Sequence, residues 1–414
     1  MRTWITLTEA ARQLGVQAQT IYAYVSRGNI AVMPDPADPR KSLYRAEDVA
    51  ILCRKKQVGR KRAALAAGTI FGAEPCIHSA ITTFSKGRAY YRGRDSIRLS
   101  QASTLEDVAA ILWNARSPIA FDIDRTPLQW EERGRQCAFM SLAALAANGH
   151  STHGRTDRAL HTEAGHLVAL VSQAFGAKCS EKATLTHERL ALGWGQGSEG
   201  TDLIRRALVL VADHELTSSA FAARITASTG ASLPGCLLTG LAAFSGPLHG
   251  DASGRVRAVF DHVERVGAES VVAHHLQSAL PIPGFSHHLY PEGDPRAQAL
   301  LERLDPPEEL ASFIGEVTRL TGLQPNIDVA LAVLASQLKL PRDASFALFA
   351  TARSVGLLAH SMEQLKVGKV IRPRGRYTGP VLEDVDSVPP NDDGNGLPDA
   401  ATVDRNRVFK TIIR

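Results

Sequence analysis

Small side chains occupy most steps of residues 220–246, and backbones carrying Ala, Ser, Thr and Gly can approach one another closely, as a packed multi-helix core requires. This segment and residues 207–212 are the most apolar of the chain. Asp213, His214, Glu215 and Arg224 interrupt them well short of the roughly 18 apolar residues of a membrane span. They read as a buried helix pair. Helical periodicity recurs at residues 104–113, 202–212, 297–304, 307–318 and 329–337. Period-two alternation is rare, the best case being residues 77–84 with a second run, 86–91, after a turn. From about residue 67 the chain is therefore expected to be mainly α. Its 414 residues leave room for two or three domains.

Charge separates a first domain from the rest. Residues 1–65 hold 12 Lys and Arg against 5 Asp and Glu, a balance of +7, whereas the whole chain carries +5. The remainder is thus at −2, and the positive excess belongs to an appendage suited to an acidic partner. Thr8 is read as opening a short helix that Gly15 ends, with Leu7, Leu14, Val16, Ile21 and Val25 spaced to bury one face. A second helix, residues 17–27, follows at once and would offer Gln17, Gln19, Thr20, Tyr24 and Arg27 to a DNA groove. A Pro- and Asp-rich loop, then Tyr44-Arg45 and a further helix, complete an order that resembles the winged helix-turn-helix modules of the MerR and excisionase type. Arg54-Lys55-Lys56 and Arg60-Lys61-Arg62 fit phosphate neutralisation or a solvated linker helix equally well. Docking of the module onto its own body or a partner, without DNA, is the third reading.

Five cysteines, widely spaced and without a C-x-x-C pair, indicate neither a disulfide framework nor a zinc site, and with no signal-like apolar N-terminus they point to a cytoplasmic protein. No metal is expected: His150 with His153, and His161 with His166, lack flanking Cys or carboxylate ligands.

Polar groups punctuate the body in what read as five short loops, the places where a rigid scaffold usually carries chemistry. They are Asp213-His214-Glu215-Leu216; Gly246-Pro247-Leu248-His249-Gly250; the run from Gly284 through His287 and Tyr290 to Asp294-Pro295-Arg296; Pro325-Asn326-Ile327-Asp328, opening a helix at Val329; and Ala352-Arg353 through Gly356 to Ala359-His360, trailed by Arg372-Pro373-Arg374. In these elements, in this order, and in Tyr91-Arg92-Gly93, the chain is similar to citrate synthase over residues 75–380.

The resemblance implies a mainly α, two-domain fold: a large domain of residues 66–252 plus 341–414 and a small domain of 253–340, preceded by the module of 1–65. It further implies condensation of acetyl-CoA, a co-substrate, with oxaloacetate, with no permanently bound cofactor. Asp328 matches the catalytic base, His249 the histidine on the thioester carbonyl, and His287 the one polarising the ketone. His214, Arg296, Arg353 and Arg372 match the oxaloacetate contacts, Arg372 reaching into a neighbouring subunit, so a homodimer is implied. Planar guanidinium forks suit a dicarboxylate. Position near a helix N-terminus would keep Asp328 ionised unless burial raises its pKa. His274, His275, His288 and His360 are expected to be structural. Ser286, His288 and Asp251 depart from the family pattern, which has Gly, Arg and a second Gly there, and so bear on coenzyme A binding. Propionyl-CoA in place of acetyl-CoA, or a ligand-sensing DNA-binding regulator with weak turnover, are the competing readings. The Pro- and Asp-rich tail, residues 388–401, reads as an extended arm.

Overall fold

The computed structural model describes residues 3–26, 29–36, 38–53, 77–122, 128 and 132–373. Arg27, the basic run of 54–62, the boundary near 65, Arg374, Arg376 and the tail lie outside the described residues. The chain divides into two compact units, Met1–Ser85 and Lys86–Arg414.

In the first unit, strand β1 (Trp4–Thr6) leads into helix α1 (Leu7–Leu14). Thr6, not Thr8, is the cap: its side chain accepts from the Glu9 amide while Glu9 reaches back to the Thr6 amide, satisfying two donors that the helix end leaves free. Gly15 ends α1 as anticipated, and α2 runs Ala18–Ser26. The Pro- and Asp-rich stretch is not a loop: β2 (Val32–Asp35) and β3 (Asp38–Arg45) pair antiparallel, and β1 joins them in the order β1-β3-β2. Residues 46–53 are helical (α3). Asp48 ties hairpin to helix by accepting from the Ala31 amide at 2.9 Å and pairing with Arg45. Ile5, Ala10, Leu14, Ile21, Ile30, Tyr44 and Val49 form the core, with Leu7, Val16 and Val25 only partly covered. Strand β4 is Thr82–Ser85.

The second unit opens with β5 (Arg88–Tyr91) and β6 (Arg94–Asp95) and is helical thereafter. The helices are α4 (Ser96–Ala102), α5 (Leu105–Leu112), α6 (Arg135–Ala147), α7 (Asp157–Ala174), α8 (Thr186–Gly193) and α9 (Ser198–Val211). They continue with α10 (Ser218–Ser228), α11 (Leu233–Phe244), α12 (Ala252–Val266), α13 (Ala268–Gln277), α14 (Pro295–Leu301), α15 (Glu308–Thr321), α16 (Ile327–Gln337) and α17 (Ala344–Val367). The two most apolar stretches are three helices and not a pair: 207–212 ends α9, and the small-residue stretch is divided into α10 and α11, which pack on each other and on α17. Val256, Phe260, Val272, Phe313, Val329 and Val333, from α12, α13, α15 and α16, belong to a separate apolar cluster.

Helix α17 is the axis of the unit. Its 24 residues are buried nearly all round, and it packs against α5, α7, α9, α10, α11 and α16. The Arg353-to-His360 element is thus the middle of a buried helix and not a loop. Its spacing follows from one crossing. A Cβ on Gly356 would lie 2.5 Å from the Ala212 carbonyl oxygen and 2.3 Å from Asp213 Oδ1, so only glycine lets α17 pass this close to the end of α9. One turn to either side on the same face, Arg353 Nε donates to the Val211 carbonyl at 3.1 Å and His360 Nε2 stands 3.3 Å from Asp213 Oδ1. Tyr91 closes the arrangement: its hydroxyl lies 3.1–3.3 Å from the carbonyls of Val209, Leu210 and Asp213.

Gly356→Ala is expected to destabilise the protein by about 1–3 kcal/mol or more, since backbone must move to admit the methyl. Gly315→Ala, in α15 where nothing lies within 4 Å of the new Cβ, is expected to stabilise by up to about 1 kcal/mol. Urea unfolding of both variants checks the pair; equal effects would mean the crossing is not tight.

Candidate active site

Four connecting segments bring their polar residues to the region of the α9–α17 crossing. Asp213 and His214 leave the end of α9, and His214 Nε2 lies 3.0 Å from the Tyr290 hydroxyl. Tyr290 and His287 come from the segment between α13 and α14, and the rings of His287 and His214 meet edge to face at 5.3 Å. Arg296 is almost wholly buried, held by both oxygens of Asp294 at 3.0 and 2.8 Å, with its guanidinium 5.1 Å from the Tyr290 ring centre. Asp294 also caps α14 and accepts from the Ile327 amide at 3.1 Å, which couples the Arg296 segment to the start of α16. Burial alone would raise the Asp294 carboxyl; Arg296 holds it below the ordinary carboxylate range.

Asp328 sits inside the first turn of α16, whose cap is Asn326, so the helix begins two residues before Val329. Its Oδ1 is buried without a hydrogen-bond partner. Burial pushes the carboxyl up to about 7 against the pull of Arg296, so desolvation outweighs the helix terminus that would have kept it ionised.

His249 lies in the tight turn between α11 and α12. The amide of Gly250 donates to the Phe244 carbonyl at 2.8 Å, and a Cβ on Gly250 would lie 2.2 Å from the Phe244 ring. His249 Nε2 is 2.8 Å from the Ser219 hydroxyl, itself 3.0 Å from Thr217 Oγ1 at the start of α10. Ser219 is fully buried, and the sequence reading missed it. Its only sequence signal is a hydroxyl two residues past a helix cap, too common a pattern to stand out.

All three histidines are neutral near pH 7. Burial and then Arg353 push His249 down to about 4, burial and then Arg296 push His287 down to about 4, and burial and then Arg296 hold His214 well below the ordinary imidazole range. The Leu289 amide donates to His287 Nδ1 at 3.1 Å, leaving the ring proton on Nε2. Arg353 is buried on α17, its guanidinium 5.0 Å from the Phe349 ring centre and 5.9 Å from that of Phe244. Arg372 stands apart: it is exposed, beyond the end of α17, and has no hydrogen bond or ion pair to these groups among the described residues.

The residues that depart from the family pattern have definite places. Ser286 has φ 67°, a left-handed conformation that glycine takes at less cost. His288 stacks on His287 at 4.8 Å, and Asp251 pairs with Arg135. His360, expected to be structural, accepts from Arg224 Nε at 3.0 Å through Nδ1, and Arg224 in turn pairs with Glu363. Gln17 and Gln19 are exposed, Tyr22 beside them is 54% exposed, and Thr20 and Tyr24 are half-buried, Tyr24 packing on its own unit's core. A cavity of about 1120 Å³ lined by Arg133, Lys178, Arg189, Trp194 and Asp343 includes none of the histidines or Asp328. No helix of the described residues is long and apolar enough to cross a membrane.

Comparison with known proteins places this geometry. "Putative citrate synthase 2" of Mycobacterium tuberculosis is 36% identical over 193 residues, 44% of this chain and 52% of that one, so the chain spans about half the length of such curated relatives. The crystal structure of citrate synthase from Thermotoga maritima is 26% identical, with a TM-score of 0.62 over 78% of this chain and 98% of that one. A ternary complex of citrate synthase from Thermoplasma acidophilum with carboxymethyl coenzyme A and oxaloacetate shares the fold at 20% identity, with a TM-score of 0.62 over 76% of this chain and 97% of that one. The family model "Citrate synthase, C-terminal domain" matches residues 138–374, more than half of the chain and a span that contains His214, His249, His287, Arg296, Asp328, Arg353 and Arg372; the chain belongs to the citrate synthase family.

Proposed function

We propose that the protein condenses acetyl-CoA with oxaloacetate and water to give citrate and free coenzyme A. The observation that carries this reading is Asp328: a buried carboxylate with an unpartnered oxygen and a pKa near 7, within electrostatic reach of the buried Arg296 and Arg353, whose charges also act on the neutral His287 and His249. Abstraction of a methyl proton from a thioester needs a desolvated base that is still ionised near neutrality. As Asp328 takes that proton, charge develops on the thioester oxygen. With the Ser219 hydroxyl donating to Nε2, His249 carries its proton on Nδ1 and donates it to that oxygen. His287 Nε2–H polarises the ketone and gives its proton to the forming alkoxide, and the proton that Asp328 removed from the methyl group makes good that loss, so no net proton is gained or lost in the condensation. His214, Arg296 and Arg353 hold the keto acid, and water then cleaves the citryl thioester. The Thermoplasma relative, crystallised with a coenzyme A derivative and oxaloacetate, supports this substrate pair. No group need be permanently bound. On this reading residues 253–340 form a small domain that carries His287 and Asp328 and closes on the large one. Propionyl-CoA differs by one methylene, worth only about 1–3 kcal/mol of discrimination, so the acyl chain is decided by assay.

A second reading concerns the first unit alone. Two helices joined across Gly15, with Gln17 and Gln19 exposed at the second and a β-hairpin after it, support reading this unit as a winged helix-turn-helix. We infer that this unit binds duplex DNA.

Thiol release with oxaloacetate and either acyl-CoA tests the enzyme; none at high protein concentration would sink it. For Asp328→Asn, turnover is expected to fall about 10²–10⁴-fold. With wild-type protein, kcat/KM is expected to rise with pH up to about 7 and level off above, because Asp328 must be ionised while both histidines stay neutral down to about 4. Since the folded state raises this carboxyl above its unfolded value of 3.8, Asp328 favours folding when protonated and loses that advantage as pH rises through 7. Asp328→Asn is therefore expected to raise Tm most on the alkaline side.

If Arg372 completes the neighbouring subunit's site in a homodimer, Arg372→Ala and Asp328→Asn protomers, each inactive alone, are expected to regain about a quarter of wild-type activity when mixed and allowed to exchange. Failure to complement would place Arg372 outside the site. Affinity of the first unit for duplex DNA, measured in the full chain, is expected to fall steeply between low and moderate salt; no binding removes the second reading.

A further inference from the structure

Arg135, the first residue of α6, holds two aspartates at once. Its Nη2 donates to Asp251 Oδ1 at 2.6 Å, and its Nε lies 2.7 and 3.0 Å from the two Asp343 oxygens. The guanidinium is fixed from its flat side by the Phe346 ring, 3.8 Å away. Asp251 is the cap position of α12, and Asp343 that of α17. Aspartate is favoured there because its carboxylate can satisfy the free amides of the first turn. Neither does so: both helices lack a side-chain cap bond, and both carboxylates are given to Arg135.

These two places are where the chain leaves for the segment 253–340 and where it returns. One side chain therefore ties both crossings to the same helix end. Asp251 is two residues beyond His249, in a turn whose amides are fixed by His249 N to Gly246 O (2.9 Å) and Gly250 N to Phe244 O (2.8 Å). A bifurcated, half-buried arginine between two carboxylates has more geometric definition than an isolated surface pair. Glycine at 251 would leave the arginine only Asp343, at the start of α17, to hold.

We propose that Arg135, through Asp251 and Asp343, is a positioning residue that pins both crossings and so sets where His249 stands relative to Asp328 when the small domain closes. The inference rests on the reading of the site as a condensing active site. The bonds of Arg135 go to Asp251 and Asp343 and to none of His214, Arg296 or Arg353, so its loss is expected to act on kcat and not on oxaloacetate binding. For Arg135→Ala, kcat for thiol release is expected to fall about 10- to 100-fold with KM for oxaloacetate within about twofold, and Arg135→Lys is expected to restore part of the loss. The double variant Arg135→Ala/Asp251→Gly is expected to be no worse than the poorer single one, because both break one linkage. Unchanged kcat with only a lowered Tm, or fully additive losses, would overturn the proposal. Hydrogen exchange supplies the readout that needs no turnover: in Arg135→Ala, amides of residues 249–252 and 344–347 are both expected to exchange faster than in wild type. Faster exchange in a protein that releases no thiol would refute the enzyme reading and leave the pinning intact, whereas unchanged exchange in either segment overturns the pinning alone.

Discussion

The crossing of α17 over the end of α9 at Gly356 is the contact on which the candidate site depends. Because no side chain separates the helix from the Ala212 carbonyl and the Asp213 carboxylate, the residues a turn away on either side, Arg353 and His360, are brought against the same strip of chain. Arg353 is thereby carried into the interior, where its charge reaches His214, His249 and Asp328. His360 is held from behind by Arg224, which pairs with Glu363. A methyl group at position 356 would displace all of this together, since interiors at this packing density do not deform locally.

Burial then does the electrostatic work. Removing these groups from water penalises whichever form is charged. It lowers the histidines, which become neutral hydrogen-bonding groups, and raises Asp328, which becomes a base poised near neutrality. The arginines stay charged because each has compensation: Arg296 has both oxygens of Asp294, and Arg353 has the Val211 carbonyl and two aromatic faces. A second set of interactions, from Arg135 to the caps of α12 and α17, governs where the His249 turn sits.

Much of the framework was legible in the residues. Small side chains over 220–246 announced close helix packing, which α10 and α11 show, but the helix pair read from 207–212 and 220–246 is three helices, α9, α10 and α11, because residues 229–232 break the second stretch. Periodicity located α5, α15 and α16 to within a few residues, because amphipathic spacing is a local property. Errors fell where local cues compete. Thr8 looked like a cap as much as Thr6 did, and only the reciprocal bond with Glu9 chooses between them. The Arg353 element read as a loop because its Arg, Ser, Gly and His interrupt an apolar pattern; they are tolerated mid-helix because buried partners from α9 and α10 receive them. Ser219 carried no usable signal, being one hydroxyl among many.

By itself the sequence determined that the body is helical, that the first 65 residues hold the positive excess, and which His, Asp and Arg sit in motifs whose order matches one enzyme family. Those properties are written in periodicity, composition and spacing along the chain. Only the tertiary structure decided the protonation of Asp328, His249 and His287, the diversion of Asp251 and Asp343 to Arg135, and the support of His249 by Ser219. The reason is that desolvation and partner choice depend on groups distant in sequence: Arg135 meets residues 116 and 208 positions away, and Arg353 a carbonyl 142 positions away.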